Sequence, residues 1–141
     1  MTTDELYTVA EEQGVYIVQW NFPDEINGLY FCEEGKQPTI ALAERLAEGS
    51  SLYRCVLAEE LGHHFTSAGN LLPSRYFYRL WRSNIGRGEY KARKWAAEAL
   101  RPGQMLKTAL AAGSCEAWEL AEEFGVTNEM VVFRMGLGDI R

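Results

Sequence analysis

The chain has 141 residues, of which 47% are hydrophobic, and its formal net charge at pH 7 is -6. This length and apolar content favour a single domain over residues 1–141 and argue against a disordered chain. The first residues show no basic region followed by an apolar run, and no stretch approaches the roughly 20 apolar residues of a membrane span, so we expect a cytoplasmic protein with no membrane partner.

The first third of the chain predicts one helix and a small sheet. Residues 4–13 have the spacing of a short amphipathic helix, and Gly14 is placed to end it. Residues 15–22, 29–32 and 39–42 are typical of short strands, separated by turn signals at Pro23-Asp24 and Glu34-Gly35. We predict that these three strands form a small antiparallel sheet.

A buried helix carrying acidic and histidine side chains is predicted next. Two stripes recur at helical spacing, one formed by Leu52, Val56, Glu59 and His63 and the other by Leu57, Leu61 and Phe65. A helix that is apolar on two sides is buried, and burying carboxylates without partners is costly. Metal coordination would make these carboxylates tolerable. The alternative is a core helix whose glutamates reach solvent at its edge.

The same helix is one residue away from a zinc-peptidase motif. In H-E-x-x-H, two histidines one helical turn apart hold zinc, and the glutamate after the first activates a water molecule. Here Glu59 takes the first ligand position, Glu60 the catalytic position and His63 the second ligand position. Adjacent helical residues point about 100° apart, so His63 and His64 are not expected to face one metal together.

Residues 70–88 interleave four arginines with aromatic residues. Such a segment can bind nucleic acid by phosphate contact and stacking, but it also makes an ordinary amphipathic helix. The net charge of -6 opposes attraction to DNA. We favour a lid or wall over an active-site cleft.

A second helix is predicted from residue 89 to Pro102, which would stop it. Glu89, Ala92, Ala96 and Ala99 fall on one narrow stripe of this helix. A face of small residues allows two helix backbones to lie close together, so Glu89 could reach a metal held by the first helix. The alternative is an alanine-rich packing helix in which Glu89 only favours the positive helix N-terminus.

The C-terminal residues 113–141 have a helix-turn-helix outline, with two helices around Gly125-Val126-Thr127 and Thr127 as the cap of the second. From Cys115 onward there are six acidic and two basic residues, a net charge of -4 that disfavours contact with a DNA groove. We favour a packing or partner-docking role. Cys32, Cys55 and Cys115 form no C-x-x-C pair, which predicts reduced core thiols.

Taken together, the two motif helices resemble the ImmA/IrrE-type metallopeptidases, which are encoded largely by mobile elements and stress loci of bacteria. Members of that family carry an H-E-[LI]-G-H-H helix and then an E-x-x-A-x-x-[FW]-A-A-x-x-L-x-P helix. This chain has Glu59-Glu60-Leu61-Gly62-His63-His64 and later Glu89-x-x-Ala92-x-x-Trp95-Ala96-Ala97-x-x-Leu100-x-Pro102. The resemblance runs from about Gly28 to the C-terminus and departs at Glu59, where the family usually has histidine.

The resemblance implies an α+β, zincin-like domain with a small antiparallel sheet, a central metal-site helix and a C-terminal helical segment. It also implies a metal-dependent endopeptidase, with Glu60 as general base, Glu59, His63 and Glu89 as metal ligands, and a helix-turn-helix transcriptional repressor as protein substrate. An edge strand beside the metal helix, either residues 39–42 or residues 28–31, would receive the substrate as an added strand. Two alternatives stay open: an inactive peptidase fold that binds a regulator, and a DNA-binding regulator.

The substitution at Glu59 has a physical consequence for the implied metal. Two carboxylates and one imidazole place two negative charges on a divalent metal, whereas two imidazoles and one carboxylate place one. Activation of a bound water should weaken. Zinc is the leading expectation, and the oxygen-richer ligand set also suits manganese or iron(II).

Overall fold

The computed structural model describes residues 1–67, 87–100, 107, 111, 113 and 116–137. Its elements, in chain order, are helix α1 (Thr3–Glu12), strands β1 (Tyr16–Trp20), β2 (Gly28–Phe31) and β3 (Thr39–Ala43), and helices α2 (Ser51–Thr66), α3 (Arg87–Leu100), α4 (Ala117–Phe124) and α5 (Asn128–Gly136). The α+β fold is confirmed. No helix in the described part of the chain is long and apolar enough to cross a membrane.

Helix α1 begins and ends through local hydrogen bonds that the sequence encodes. The Glu5 backbone N–H donates to Thr2 Oγ1 at 3.1 Å, and the Thr2 N–H donates to Glu5 Oε2 at 2.7 Å, which together form a capping box. Gly14 follows the helix with a φ of 68°, a left-handed conformation that suits glycine. Leu6 and Ala10 face the core.

The three predicted strands form, but the sheet is mixed and not antiparallel throughout as predicted. The order is β1-β3-β2, in which β2 and β3 are antiparallel while β1 and β3 are parallel. Strand β3 lies in the middle because its residues 40–43 are all apolar and buried, whereas most of β1 is exposed. Residues 39–42 therefore cannot be the edge strand that receives a substrate, since both of their edges are already paired. Strand β2 remains the candidate.

Helix α2 lies in the core, with Tyr53, Cys55, Leu57 and Leu61 among its buried residues. Ser50 caps it by accepting a hydrogen bond from the Tyr53 N–H at 3.1 Å. The two predicted stripes are not buried throughout. Leu52 and Phe65, at opposite ends of the helix, are 41% and 37% exposed.

Close contact between α2 and α3 depends on small residues in both helices. A Cβ atom at Gly62 would lie 2.9 Å from Ala92 Cα and even closer to the Ala92 carbonyl oxygen, so only glycine fits there. Ala92 and Ala96 are fully buried, which confirms the predicted face of small residues, and Ala99 is partly buried. This contact brings the start of α3, and therefore Glu89, beside the C-terminal half of α2.

Helices α4 and α5 form the predicted helix pair and pack against the core. Gly125 ends α4 with a φ of 64°, and Thr127 caps α5 by accepting from the Met130 N–H at 3.1 Å, as predicted. The core side chains of this pair are Leu120, Ala121, Phe124, Val126, Met130 and Val131. Most of residues 70–88, together with Pro102 and Cys115, lies outside the described residues, so the predicted lid and helix stop are not tested.

Candidate metallopeptidase site

The candidate site is built on the C-terminal half of α2, which presents Glu59, Glu60, His63 and His64 in different directions. A helix turns about 100° per residue, so neighbours diverge while residues three or four apart share a face. Glu59 and His63 are four apart and lie toward α3. Glu60 lies toward β2, since a Cβ added at Gly28 would be 3.3 Å from Glu60 Cγ.

His63 and Glu89 meet between α2 and α3. His63 Nε2 lies 3.0 Å from Glu89 Oε1, and both side chains are partly buried. Burial alone would lower the pKa of His63, but the hydrogen bond to Glu89 and the charges of Glu60, Glu89 and Glu59 raise it. The hydrogen bond to His63 holds the pKa of Glu89 below its usual range. Two of the predicted metal ligands are therefore brought together.

The Glu60 carboxyl group lies in the gap between α2 and β2. Hydrogen bonding from the Tyr30 backbone favours the ionised form of this group and so acts to lower its pKa. Burial is the main cause that raises the pKa of Glu60 to about 8, against the lowering effect of His63. A group whose pKa lies close to the working pH can exchange a proton with water.

Glu59 has a different partner from the one predicted. The Arg93 Nε atom lies 3.3 Å from Glu59 Oε1, so a guanidinium group of α3 pairs with the carboxylate. Burial raises the pKa of Glu59 and the nearby Glu89 charge adds to this, while Arg93 and His63 oppose it. The Arg93 guanidinium also lies 5.6 Å from the centre of the Phe133 ring on α5.

His64 belongs to a separate network on the other side of α2. Its Nδ1 lies 2.9 Å from the Tyr30 hydroxyl and its Nε2 lies 3.1 Å from Gln13 Oε1. The Gln13 oxygen as placed can only accept, which assigns the His64 proton to Nε2 and makes Nδ1 the acceptor toward the Tyr30 hydroxyl. Burial lowers the pKa of His64. His63 and His64 therefore have different partners, which is consistent with the expectation that they do not face one metal together.

Whether the residues fit a divalent metal can be judged from their donors and positions. One imidazole and two carboxylates are suitable ligands for zinc, manganese or iron(II). His63 and Glu89 bring two of these donors together, whereas Glu59 is held by Arg93. Within residues 1–67, 87–100 and 116–137, no three His, Cys, Asp or Glu side chains form a group that could hold a metal. The ligand set of Glu59, His63 and Glu89 stays a prediction. His63 and Glu89 contact each other, whereas Glu59 pairs with Arg93.

Sequence reasoning missed three residues that shape this site: Arg93, Tyr30 and Gln13. Arg93 lies one turn after Glu89 on the same helix, so its reach toward α2 could have been inferred from the ligand role proposed for Glu89. No sequence signal links Tyr30 or Gln13 to His64, because those contacts depend on how the sheet packs against α2.

Cys55 and Cys32 were predicted to be reduced core thiols. Cys55 is buried, and burial raises the pKa of its thiol. Its sulfur accepts a hydrogen bond from the Thr127 N–H at 3.5 Å. Cys32 is only partly buried. Both are free thiols.

Comparison with known proteins identifies the family of this chain. Residues 10–135 match the profile of a peptidase family described as the IrrE N-terminal-like domain. Because the match covers most of the chain, the protein belongs to this family, which confirms the resemblance found in the sequence. Searches of curated proteins and of solved structures found no significant match. Family membership suggests a metallopeptidase-type function, which implies a divalent metal and a protein substrate.

Proposed function

We propose that this protein is a metal-dependent endopeptidase in which Glu60 is the general base and His63, Glu89 and Glu59 hold the metal. The observation that carries the proposal is the meeting of His63 Nε2 and Glu89 Oε1 at 3.0 Å, close enough to Glu60 for the charges of both to affect its pKa. A divalent metal held there would polarise the scissile carbonyl and make a water molecule more acidic.

The residues of the chain have separate parts in this proposal. Glu60 takes a proton from water at its carboxylate and returns a proton to the leaving amine. Hydrogen bonding from the Tyr30 backbone favours the ionised form of that carboxylate. Strand β2 is an edge strand of the sheet and lies beside α2, so an extended substrate could add to it through main-chain hydrogen bonds.

Family membership supports a protein substrate, and the identity of that protein is part of our proposal. We propose a cytoplasmic helix-turn-helix repressor as the substrate and zinc as the first metal to test, with manganese and iron(II) next. A second function is favoured by the Glu59–Arg93 ion pair: a peptidase fold that binds a regulator without cutting it. Retention of Glu60 beside His63 and Glu89 favours catalysis over that alternative.

Metal content tests the proposal, because the two adjacent histidines provide a matched control. Protein purified without chelator should carry near-stoichiometric metal. His63→Ala should lose it, whereas His64→Gln should keep it, since His64 lies in the other network. A wild-type protein that neither contains nor takes up zinc, manganese or iron(II) would contradict the proposal.

Catalysis is tested separately. Glu60→Gln should keep the metal and lose proteolysis of the repressor, because an amide cannot accept the proton from water. If a metal-loaded wild-type protein binds repressors but cleaves none, the non-catalytic alternative is correct.

A further inference from the structure

Arg93 lies close to two of the proposed metal ligands, and its charge acts to lower the pKa of both Glu59 and Glu89. It is on α3, one turn after Glu89, and its Nε atom is 3.3 Å from Glu59 Oε1. The Glu59 side chain is 25% exposed and that of Arg93 is 43% exposed, so the pair is partly shielded from water. Glu59 therefore already has a cation partner in this structure.

The other side of Arg93 is held by the C-terminal helix α5. The guanidinium carbon lies 5.6 Å from the centre of the Phe133 ring, within the range of a cation–π interaction. The Phe133 ring in turn packs edge-on against Tyr90 of α3, with ring centres 5.8 Å apart. Arg93 thus connects a carboxylate of α2 with an aromatic ring of α5.

We infer that Arg93 sets the metal affinity of the site by competing with the metal for the carboxylate of Glu59. This inference rests on the proposed metal site. A carboxylate paired with a guanidinium group must be released before it can bind a second cation, and the charge of Arg93 repels a divalent cation nearby. Metal binding is then coupled to the position of Arg93 and, through Phe133, to α5.

The test is the zinc and manganese affinity of purified Arg93→Gln, measured by calorimetric titration of the metal into metal-free protein. Glutamine keeps most of the length of the side chain and removes its charge. Loss of a partly exposed ion pair corresponds to about a two- to fivefold change in affinity. Relief of the repulsion adds to this, so we expect metal to bind about tenfold more tightly.

Four further variants separate competition from a general charge effect: Lys94→Gln, Glu59→Gln, Phe133→Leu and the double variant of Glu59→Gln with Arg93→Gln. Lys94→Gln removes the same charge from the next residue of α3, which is exposed, and should change affinity less than about twofold. In a Glu59→Gln background, Arg93→Gln should raise affinity less than it does in the wild type, because no carboxylate remains to be released. Phe133→Leu removes the ring but keeps an apolar side chain, and it should raise metal affinity by a smaller factor than Arg93→Gln does. Thermal unfolding of each metal-free variant verifies that the fold is retained.

Each outcome has a defined meaning. Tighter metal binding in Arg93→Gln, with Lys94→Gln unchanged and a smaller gain in the Glu59→Gln background, supports the inference. If Arg93→Gln binds metal no more tightly than the wild type, the inference is wrong and the proposed metal site still stands. The same holds if Arg93→Gln raises metal affinity equally in the wild-type and Glu59→Gln backgrounds. Failure of both wild type and Arg93→Gln to bind metal overturns the inference and the proposed site together.

Discussion

At the scale of single residues, Glu59 carries two roles that exclude each other. As the first ligand of the motif it would bind a metal, and in the structure it binds Arg93. A carboxylate can play either role but not both at once, because the oxygens that accept hydrogen bonds from a guanidinium group are the ones that would coordinate a cation. An imidazole serves the first role only in its neutral form and does not attract the guanidinium charge.

Replacing Glu59 with histidine should therefore strengthen zinc binding. Glu59→His supplies the nitrogen ligand that zinc prefers and removes the partner of Arg93, and we expect zinc affinity to rise about tenfold or more. Glu59→Ala should weaken binding. A competition assay with a zinc-binding dye measures both. Unchanged affinity in both variants would show that Glu59 is not a ligand.

The thiol of Cys55 should be chemically inert in the folded protein. It is buried, burial raises its pKa, and the thiolate is the form that reacts. We expect Cys55 to be alkylated roughly a hundredfold more slowly than the partly buried Cys32. Timed treatment with iodoacetamide and peptide mass spectrometry measures each cysteine separately. The difference should vanish in denaturant, and equal rates in the native protein would contradict the burial of Cys55.

At the scale of elements, the sequence predicted what depends on local chemistry. Helix α1 was predicted from its amphipathic spacing and from Gly14, and the Thr127 cap was predicted from its residue type, because these signals act within a few residues. The strand order was not predicted, since pairing is decided by burial of the whole sheet. The unbroken apolar run of residues 40–43 was a sign of a central strand that the alternation rule overlooks.

In the candidate site too, the helix contact that follows from local spacing was predicted, and the ion pair across that contact was not. The alanine stripe of α3 predicted a close helix contact through which Glu89 could reach a metal held by α2, and in the structure Glu89 lies beside His63 of that helix. The pairing of Glu59 with Arg93 was not predicted: the position of Arg93 one turn after Glu89 directs it toward α2, but its choice of Glu59 depends on side-chain positions across that contact. Those two residues are 34 positions apart in the chain.

The contact between α2 and α3 should fail when Gly62 gains a side chain. A Cβ atom at this position would overlap the Ala92 backbone, and Gly62→Ala should lower the free energy of unfolding by about 1–3 kcal/mol or more. Gly49→Ala is the matched control, since its Cβ would contact nothing within 4 Å and its change should stay within about 0.5 kcal/mol. Urea unfolding measures both. Equal stabilities would contradict the described helix packing.

At the scale of the whole molecule, the C-terminal helices are part of the core and not a separate arm. Arg54 of α2 donates hydrogen bonds to the Phe124 and Gly125 carbonyl oxygens at 2.7 and 2.9 Å. Leu120 and Met130 are buried in the core cluster. This arrangement supports the packing role favoured from the sequence, and it places α5 where Phe133 can contact Arg93.

The charge of these helices predicts that they do not bind duplex DNA strongly. Arg134 is the only basic residue within residues 116–137, and it is 4% exposed, so α4 and α5 offer no accessible cation to a phosphate. Phosphate neutralisation by Lys and Arg supplies most non-specific affinity. Fluorescence anisotropy with a labelled duplex should show no binding at low salt. A double variant, Glu119→Lys with Glu122→Lys, raises the charge of α4 by four and should bind weakly in a salt-dependent manner, which shows that the assay detects such contacts. Tight, salt-dependent binding by the wild type would instead favour a DNA-binding regulator.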